Sequence, residues 1–271
     1  MGVDSICFEE AMHLVTRSPK YWLGTPQMYL EGLRNPEQAR LFRAAYFFAR
    51  HIDDVLDGDR DVGQDPKGYV NSIRSEISDG RFSSRIPIVQ LYHFVIAQME
   101  PLKKEGDDPR ASFERVIKAM EFDYERARSP RVLTKKELDQ YFKDTFIPVI
   151  DLSLIILGSS SRAADIPFLV ESQGHLYSIR DMRKDLRQKI INIPQEELDK
   201  TQFSGFLSYR HVMQNPVLRD WARKEVEYYS SLLSIAKTQL KEVDDAAKRV
   251  CFPLIRGMQI FSLWYRLTHS D

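Results

Sequence analysis

Two short segments carry side chains whose type and spacing could do chemistry. The first runs Tyr46-Phe47-Phe48-Ala49-Arg50-His51-Ile52-Asp53-Asp54-Val55-Leu56-Asp57. Asp53 and Asp57 are four residues apart, so on a helix both carboxylates lie on one face, about 6 Å apart at Cβ. Arg50 and Tyr46 precede Asp53 by three and seven residues and share that stripe. The second segment runs Tyr177-Ser178-Ile179-Arg180-Asp181-Met182-Arg183-Lys184-Asp185, where Asp181 and Asp185 repeat the spacing among basic neighbours.

Two carboxylates stacked at i and i+4 repel by about 0.2–0.5 kcal/mol. A hard divalent cation between them reverses that penalty, and oxygen-only ligands favour magnesium over zinc. Arginine and lysine cannot ligate a metal, but they can hold an anion that the metal also binds, and a diphosphate meets both demands. Magnesium and basic side chains together stabilise a departing pyrophosphate electrostatically. The chain has 39 Asp and Glu residues, so one four-spaced pair is equally well a solvated charged helix face. The metal reading rests on the recurrence of the pair, with matching arginines, on two separate helices.

The elements that must position these groups are helical. Asn35-Pro36, Asp108-Pro109 and Asn215-Pro216 each place a capping residue before a proline at the first helical position. Thr134 with Glu137 reads as a capping box. Apolar residues follow at helical spacing, as in Leu138, Tyr141, Phe142 and Thr145, then Val149 and Leu152. No run alternates in the way a strand would require. The pattern predicts about ten helices, at roughly 36–57, 67–78, 87–103, 109–128, 135–157 and 166–190, with two long ones after 215. No low-complexity linker or internal repeat divides the chain, so the expectation is an all-α fold, one helical domain over residues 1–271.

Hydrophobic residues make up 43% of the 271, enough for a sizeable core, and the formal net charge is zero. Acids and bases are interleaved, which argues against a nucleic-acid partner. Cys7 and Cys251 form no framework and have no metal-ligand spacing, so a reduced, cytoplasmic setting is expected. The start lacks a signal-peptide pattern, and Ile6 stands where a myristoylation signal after Met1-Gly2 wants Ser or Thr. The most apolar stretch, Ile147 to Leu157, holds Pro148 and Asp151 and is too short to span a bilayer. His51 reads as an ordinary, partly exposed histidine, and Tyr265-Arg266 as a helix end with an exposed base.

The segment from Tyr46 to Asp57 resembles the first aspartate-rich motif of squalene and phytoene synthases, and Ser178 to Asp185, followed by Ile193-Pro194-Gln195-Glu196-Glu197-Leu198, resembles their second. Arg17-Ser18 is similar to the family's N-terminal diphosphate-binding step. Met120 to Asp123, then Leu133-Thr134, Glu137-Leu138 and Tyr141, resemble the intervening helix and its successor. The resemblance implies the isoprenoid-synthase helical bundle, with the two acidic pairs facing each other across a central cavity. It implies a magnesium-dependent transferase acting on an allylic isoprenyl diphosphate. Asp53, Asp57, Asp181 and Asp185 would ligate magnesium, with Asp54 as an auxiliary. Arg17, Ser18, Arg50, Tyr177, Arg180 and Lys184 would contact substrate, and Tyr46 would stabilise developing cation or diphosphate. A reductive member would also bind NADPH at the bundle surface, but no Gly-x-Gly-x-x-Gly element follows a strand here. A peripheral membrane contact would suit an apolar product. Neither the oligomeric state nor the substrate chain length is legible.

Several positions depart from that pattern. Gly174 and Tyr177 stand where the family carries Gln and Asn, and Phe146-Ile147-Pro148-Val149-Ile150 replaces a run of small residues. Lys189-Ile190-Ile191-Asn192-Ile193-Pro194 replaces Gly-Arg-x-Tyr-Leu-Pro, losing an arginine and a tyrosine. Bulkier residues would narrow the cavity and favour shorter or single substrates. Two other readings therefore stay open at this point: a terpene cyclase closing one cation on its own chain, and a non-catalytic member using the cavity for binding or assembly.

Overall fold

The structure is a computed structural model describing residues 2–17, 35–80, 86–201 and 207–269. Ser18 lies outside the described residues. Among those residues there are no strands. The α-helices are α1 (Val3–Arg17), α2 (Pro36–Leu56), α3 (Pro66–Ser78), α4 (Pro87–Met99), α5 (Pro109–Arg128), α6 (Lys135–Ile156), α7 (Pro167–Arg187), α8 (Gln195–Leu198), α9 (Tyr209–Gln214), α10 (Pro216–Gln239) and α11 (Asp245–Thr268). The all-α expectation holds, and none of these helices is long and apolar enough to cross a membrane.

The starts are set by local chemistry. Asn35 Oδ1 accepts from Gln38 N at 3.2 Å, Asp108 Oδ1 from Ala111 N at 3.0 Å, and Asn215 Oδ1 from Val217 N at 2.9 Å. Each occupies one of the amide donors that a helix N-terminus leaves without an internal partner. Asp65 does the same for Gly68 N at 2.7 Å. Thr134 and Glu137 close the reciprocal box, with Glu137 Oε2 accepting from Thr134 N at 2.8 Å and Thr134 Oγ1 from Glu137 N at 3.3 Å. At the end of α7, Ile190 N donates to Asp185 O and Lys189 N to Leu186 O, the two bonds of a Schellman cap. Lys189 takes φ of 64°, a left-handed conformation that glycine adopts at less cost.

The chain clusters into two compact units, residues 1–121 with 155–158, and residues 122–154 with 159–271. In the first, α2 packs against α4 and α1 around Leu41, Phe47, Phe48, Ile52 and Val55, all buried. Phe48, Tyr92 and Phe113 form a cluster of edge and tilted ring contacts 5.2–5.6 Å apart. In the second unit, α7 packs against α10 and α11, whose buried faces share one core that includes Leu169, Leu176, Trp221, Val226, Leu233 and Met258.

Asp244 ties this second unit together. Its Oδ1 caps α11 through Ala247 N at 2.9 Å, while Oδ2 accepts from Ser159 Oγ and Ser160 Oγ, both at 2.8 Å. Burial alone would raise this carboxyl, but the hydrogen bonds from Ala247, Ser159 and Ser160 outweigh it and hold the group well below the ordinary range. A depressed folded value stabilises the fold above the unfolded value and is lost as pH falls through the folded one. Asp244→Ala should therefore cost about 1–2 kcal/mol at pH 7, and the deficit should shrink below about pH 4. Denaturant unfolding of both proteins at several pH values checks this.

Candidate functional site

Each unit carries one of the acidic motifs. In the first, the last turn of α2 presents Asp53, half-buried, and Asp57 follows as the capping residue, its N–H donating to Asp53 O at 2.8 Å. Asp54 is only 1% exposed at its side chain, with Arg17 Nη1 2.7 Å away and Arg50 Nη2 also against it. Arg50 reaches Asp53 Oδ2 with Nη1 at 2.5 Å, and Arg17 reaches Asp59 at 3.2 Å. An uncompensated buried carboxylate would be strongly destabilising, so these guanidiniums act first as internal counter-charges. Asp54, expected as an auxiliary metal ligand, is thus occupied from inside the protein. Tyr46, two turns before Asp53 on the same helix, is part-exposed and meets Phe47 edge-on at 5.5 Å.

The position of this turn is fixed from beneath. His51 is buried rather than partly exposed, its ring nitrogens 3.1 Å from Glu10 Oε1 and 2.9 Å from Tyr69 Oη. Arg60 donates to both Glu10 oxygens, at 2.9 and 2.7 Å. The network joins α1, α2, the loop after α2, and α3. It was invisible in the sequence because its members are far apart along the chain.

In the second unit, Asp181 and Asp185 of α7 line a cavity of about 160 Å³ together with Asp123, Tyr141, Phe142, Phe146, Gly174, Tyr177, Ile190 and Asn192. Arg180 holds Asp181 through two hydrogen bonds, at 2.9 and 2.7 Å, and lies over the Tyr177 ring at 3.9 Å. Asp185 is pushed up to about 7 by burial, then by the Asp181 and Asp123 carboxylates; Lys184 and a hydrogen bond from Asn192 offset this only in part. Tyr141 Oη donates to Asp123 at 2.5 Å. Burial, then the Asp123 charge, push the Tyr141 phenol well above its ordinary value, so it stays protonated and donates.

Arg126, 2% exposed, lies behind the lining residues Asp123 and Asn192 and contacts both. It donates to Ile191 O at 2.6 Å and Asn192 Oδ1 at 2.8 Å, and stands 3.3 Å from Asp123. Asn192 in turn donates to Asp185 at 3.0 Å. Sequence reasoning missed Arg126, although it follows Asp123 by three residues as Asp53 follows Arg50.

The donors here are oxygens only, the ligand type that hard divalent cations take. Three carboxylates line one small cavity, and Asp185 ionises reluctantly, first because it is buried and then because Asp181 and Asp123 are beside it. Among the described residues no group of three or more His, Cys, Asp or Glu side chains is placed so that it could by itself hold a metal ion. A hard cation here would therefore take further oxygens from water or from phosphate groups, as magnesium ordinarily does.

The departures acquire physical reasons. A Cβ at position 174 would lie 2.4 Å from Phe142 Cβ, so the ring packs where a longer side chain on α7 would begin. Phe142 also meets the His175 ring edge-on at 4.9 Å. Phe146 lines the cavity and contacts Tyr177 at 5.9 Å. Ile150 instead belongs to the core, 1% exposed, so its bulk does not shape that wall.

The family model of squalene/phytoene synthases matches residues 32–259. Among solved structures, squalene synthase HpnC from Alicyclobacillus acidocaldarius superposes with a TM-score of 0.68 at 19% identity, covering 89% of this chain and 88% of that one. A dehydrosqualene synthase in complex with ligand gives 0.67 at 15% identity, covering 97% and 89%. No curated protein matches significantly in sequence.

Two consequences are measurable on the metal-free protein. Asp185 is held at about 7 in the folded chain, against an ordinary aspartate value of 3.8. The folded state therefore binds the extra proton between those values, and stability falls as pH rises through that window. At about 1.4 kcal/mol per unit the loss is at most about 4 kcal/mol. Asp185→Asn should be more stable than the native chain at pH 8 and equal to it near pH 4, by denaturant unfolding with chelator present. Gly174→Ala, which in an open helix gains about 1 kcal/mol, should here lose about 1–3 kcal/mol through overpacking, and Phe142→Ala in the same chain should remove that penalty. An unchanged or raised melting temperature for Gly174→Ala alone would show that Phe142 moves aside freely.

Proposed function

This chain belongs to the squalene/phytoene synthase family, and we propose that it ionises an allylic isoprenyl diphosphate and joins the resulting cation to a second isoprenyl chain. The observation that carries this reading is the cavity in which Asp123, Asp181 and Asp185 meet beside Arg180 and Tyr177.

Bound magnesium would neutralise the carboxylates and polarise the diphosphate, supplying charge stabilisation as the carbon–oxygen bond breaks. Asp181 and Asp185 would hold it in the second unit, and Asp53 and Asp57 in the first. Arg180 and Lys184 offer N–H donors to phosphate oxygens. Arg50 and Arg17 do the same in the first unit, where their grip on Asp54 orients both guanidiniums in advance. The aromatic faces of Tyr177, Phe142 and Phe146 can stabilise a delocalised carbocation through their quadrupoles. The double bond of the second chain attacks that cation, and the new cation is quenched by proton loss or rearrangement. Tyr141 stays protonated and keeps Asp123 oriented, while Asn192 does the same for Asp185. The cavity, at 160 Å³, is below the roughly 300–1,000 Å³ of ordinary ligand sites. Phe142 and Phe146 are the residues that restrict it.

The test is direct. Purified protein is incubated with geranyl, farnesyl or geranylgeranyl diphosphate, with magnesium or with chelator, while pyrophosphate release and products are followed. Release should require magnesium, and Asp53→Asn or Asp181→Asn should reduce it about a hundredfold or more, the scale for losing one strong electrostatic stabiliser. Near-normal turnover in either variant, or with chelator, would remove the metal assignment. Absence of release from all three substrates would favour a binding role.

A further inference from the structure

The outward side of α11 is apolar. Its inner stripe of Ala247, Cys251, Ile255, Met258 and Tyr265 is buried in the core of the second unit. The opposite stripe of such a helix is ordinarily polar. Here it presents Phe252, Ile260, Leu263, Trp264 and Leu267, each between 46% and 72% exposed. Ile260, Leu263, Trp264 and Leu267, spaced three and four residues apart, join into one strip about 10 Å long, with Phe252 two turns before it across Arg256. Single exposed apolar residues are commonplace, but a continuous strip marks an interaction surface.

The charge on this surface has one sign. Residues 246–268 contain no Asp or Glu, while Lys248, Arg249, Arg256 and Arg266 fall within them. Beside the strip lies an open groove of about 980 Å³ formed by the end of α10 and the start of α11. Lys237, Lys241, Lys248 and Arg249 line it, with no carboxylate among the lining residues. Among the described residues, Lys248 has an acid beside it, Asp245 at 3.1 Å.

These features select the occupant. A second copy docked through the same face would form an isologous contact, setting the arginines of one strip against those of the other. A partner that is apolar in depth and negative at its surface complements both the strip and its bases, and an anionic lipid bilayer has that profile. Tryptophan is favoured at the boundary of such a bilayer, where its ring is apolar and its N–H reaches water. We propose that the outer face of α11 docks this protein onto anionic membranes, with Ile260, Leu263, Trp264 and Leu267 at the headgroup–acyl boundary. Lys237, Lys241, Arg249 and Arg256 lie toward the lipid phosphates. The inference rests on α10 and α11 alone and stands apart from the catalytic reading.

Flotation of the full chain with vesicles tests it. Vesicles of phosphatidylglycerol and phosphatidylcholine should carry the protein upward, and vesicles of phosphatidylcholine alone should carry at least tenfold less. A Leu263→Glu, Leu267→Glu double variant should lose at least tenfold of the binding to anionic vesicles. Lys237→Glu with Lys241→Glu should weaken it similarly. Every substituted side chain is exposed, so circular dichroism and melting should be unchanged. Native-level flotation of the leucine variant, or equal binding to neutral vesicles, would overturn the proposal. So would a native dimer that the leucine variant converts to monomer in sedimentation, since the face would then be a protein interface.

Discussion

Burial of carboxylates close to one another is the constraint on which the candidate site turns. Asp123, Asp181 and Asp185 come from two helices to one small cavity, and the cost of ionising all three appears at Asp185, held near 7. A fold keeps such a cost only where surrounding packing over-determines it. Here that packing is identifiable. Arg126 binds the chain after α7 and stands beside Asp123, Tyr141 fixes Asp123, and Asn192 fixes Asp185. Arg126 offsets Asp123 and Arg180 offsets Asp181, but Asp185 is still held near 7.

The first unit treats its acids differently. Arg17 and Arg50 lie against Asp54, and Arg50 also holds Asp53, so the buried charge is balanced within the protein. The same motif chemistry therefore gives two electrostatic outcomes. In the first unit the guanidiniums are already organised around carboxylates and are ready to meet an anion. In the second unit Arg180 stands against Asp181 and Arg126 beside Asp123, while Asp185 is held near 7 by burial and by its two neighbouring carboxylates.

Much of the architecture was legible because it is local. The Asn-Pro and Asp-Pro starts and the Thr134–Glu137 box are recognised within four residues, and each forms its expected hydrogen bonds. The acidic pairs were legible for the same reason. What was not legible depends on contacts between distant positions. Phe142 excludes a side chain at Gly174, 32 positions away. Arg126 finds Asn192 across 66 residues, and His51 is buried because Glu10 and Tyr69 come to it from other helices. The bulk of Ile150 went into the core and that of Phe146 into the cavity, a distinction that helical spacing alone does not make.

The central claim is that the acidic cavity of the second unit binds a divalent cation together with a diphosphate. Calorimetric titration of inorganic pyrophosphate, with and without magnesium, near pH 6.5 addresses it without requiring turnover. The account predicts that magnesium raises pyrophosphate affinity at least tenfold. Binding should release protons as Asp185 ionises, and Asp185→Asn should lose both the enhancement and the release. Pyrophosphate affinity that is the same with and without magnesium, and unchanged in Asp185→Asn, would contradict it.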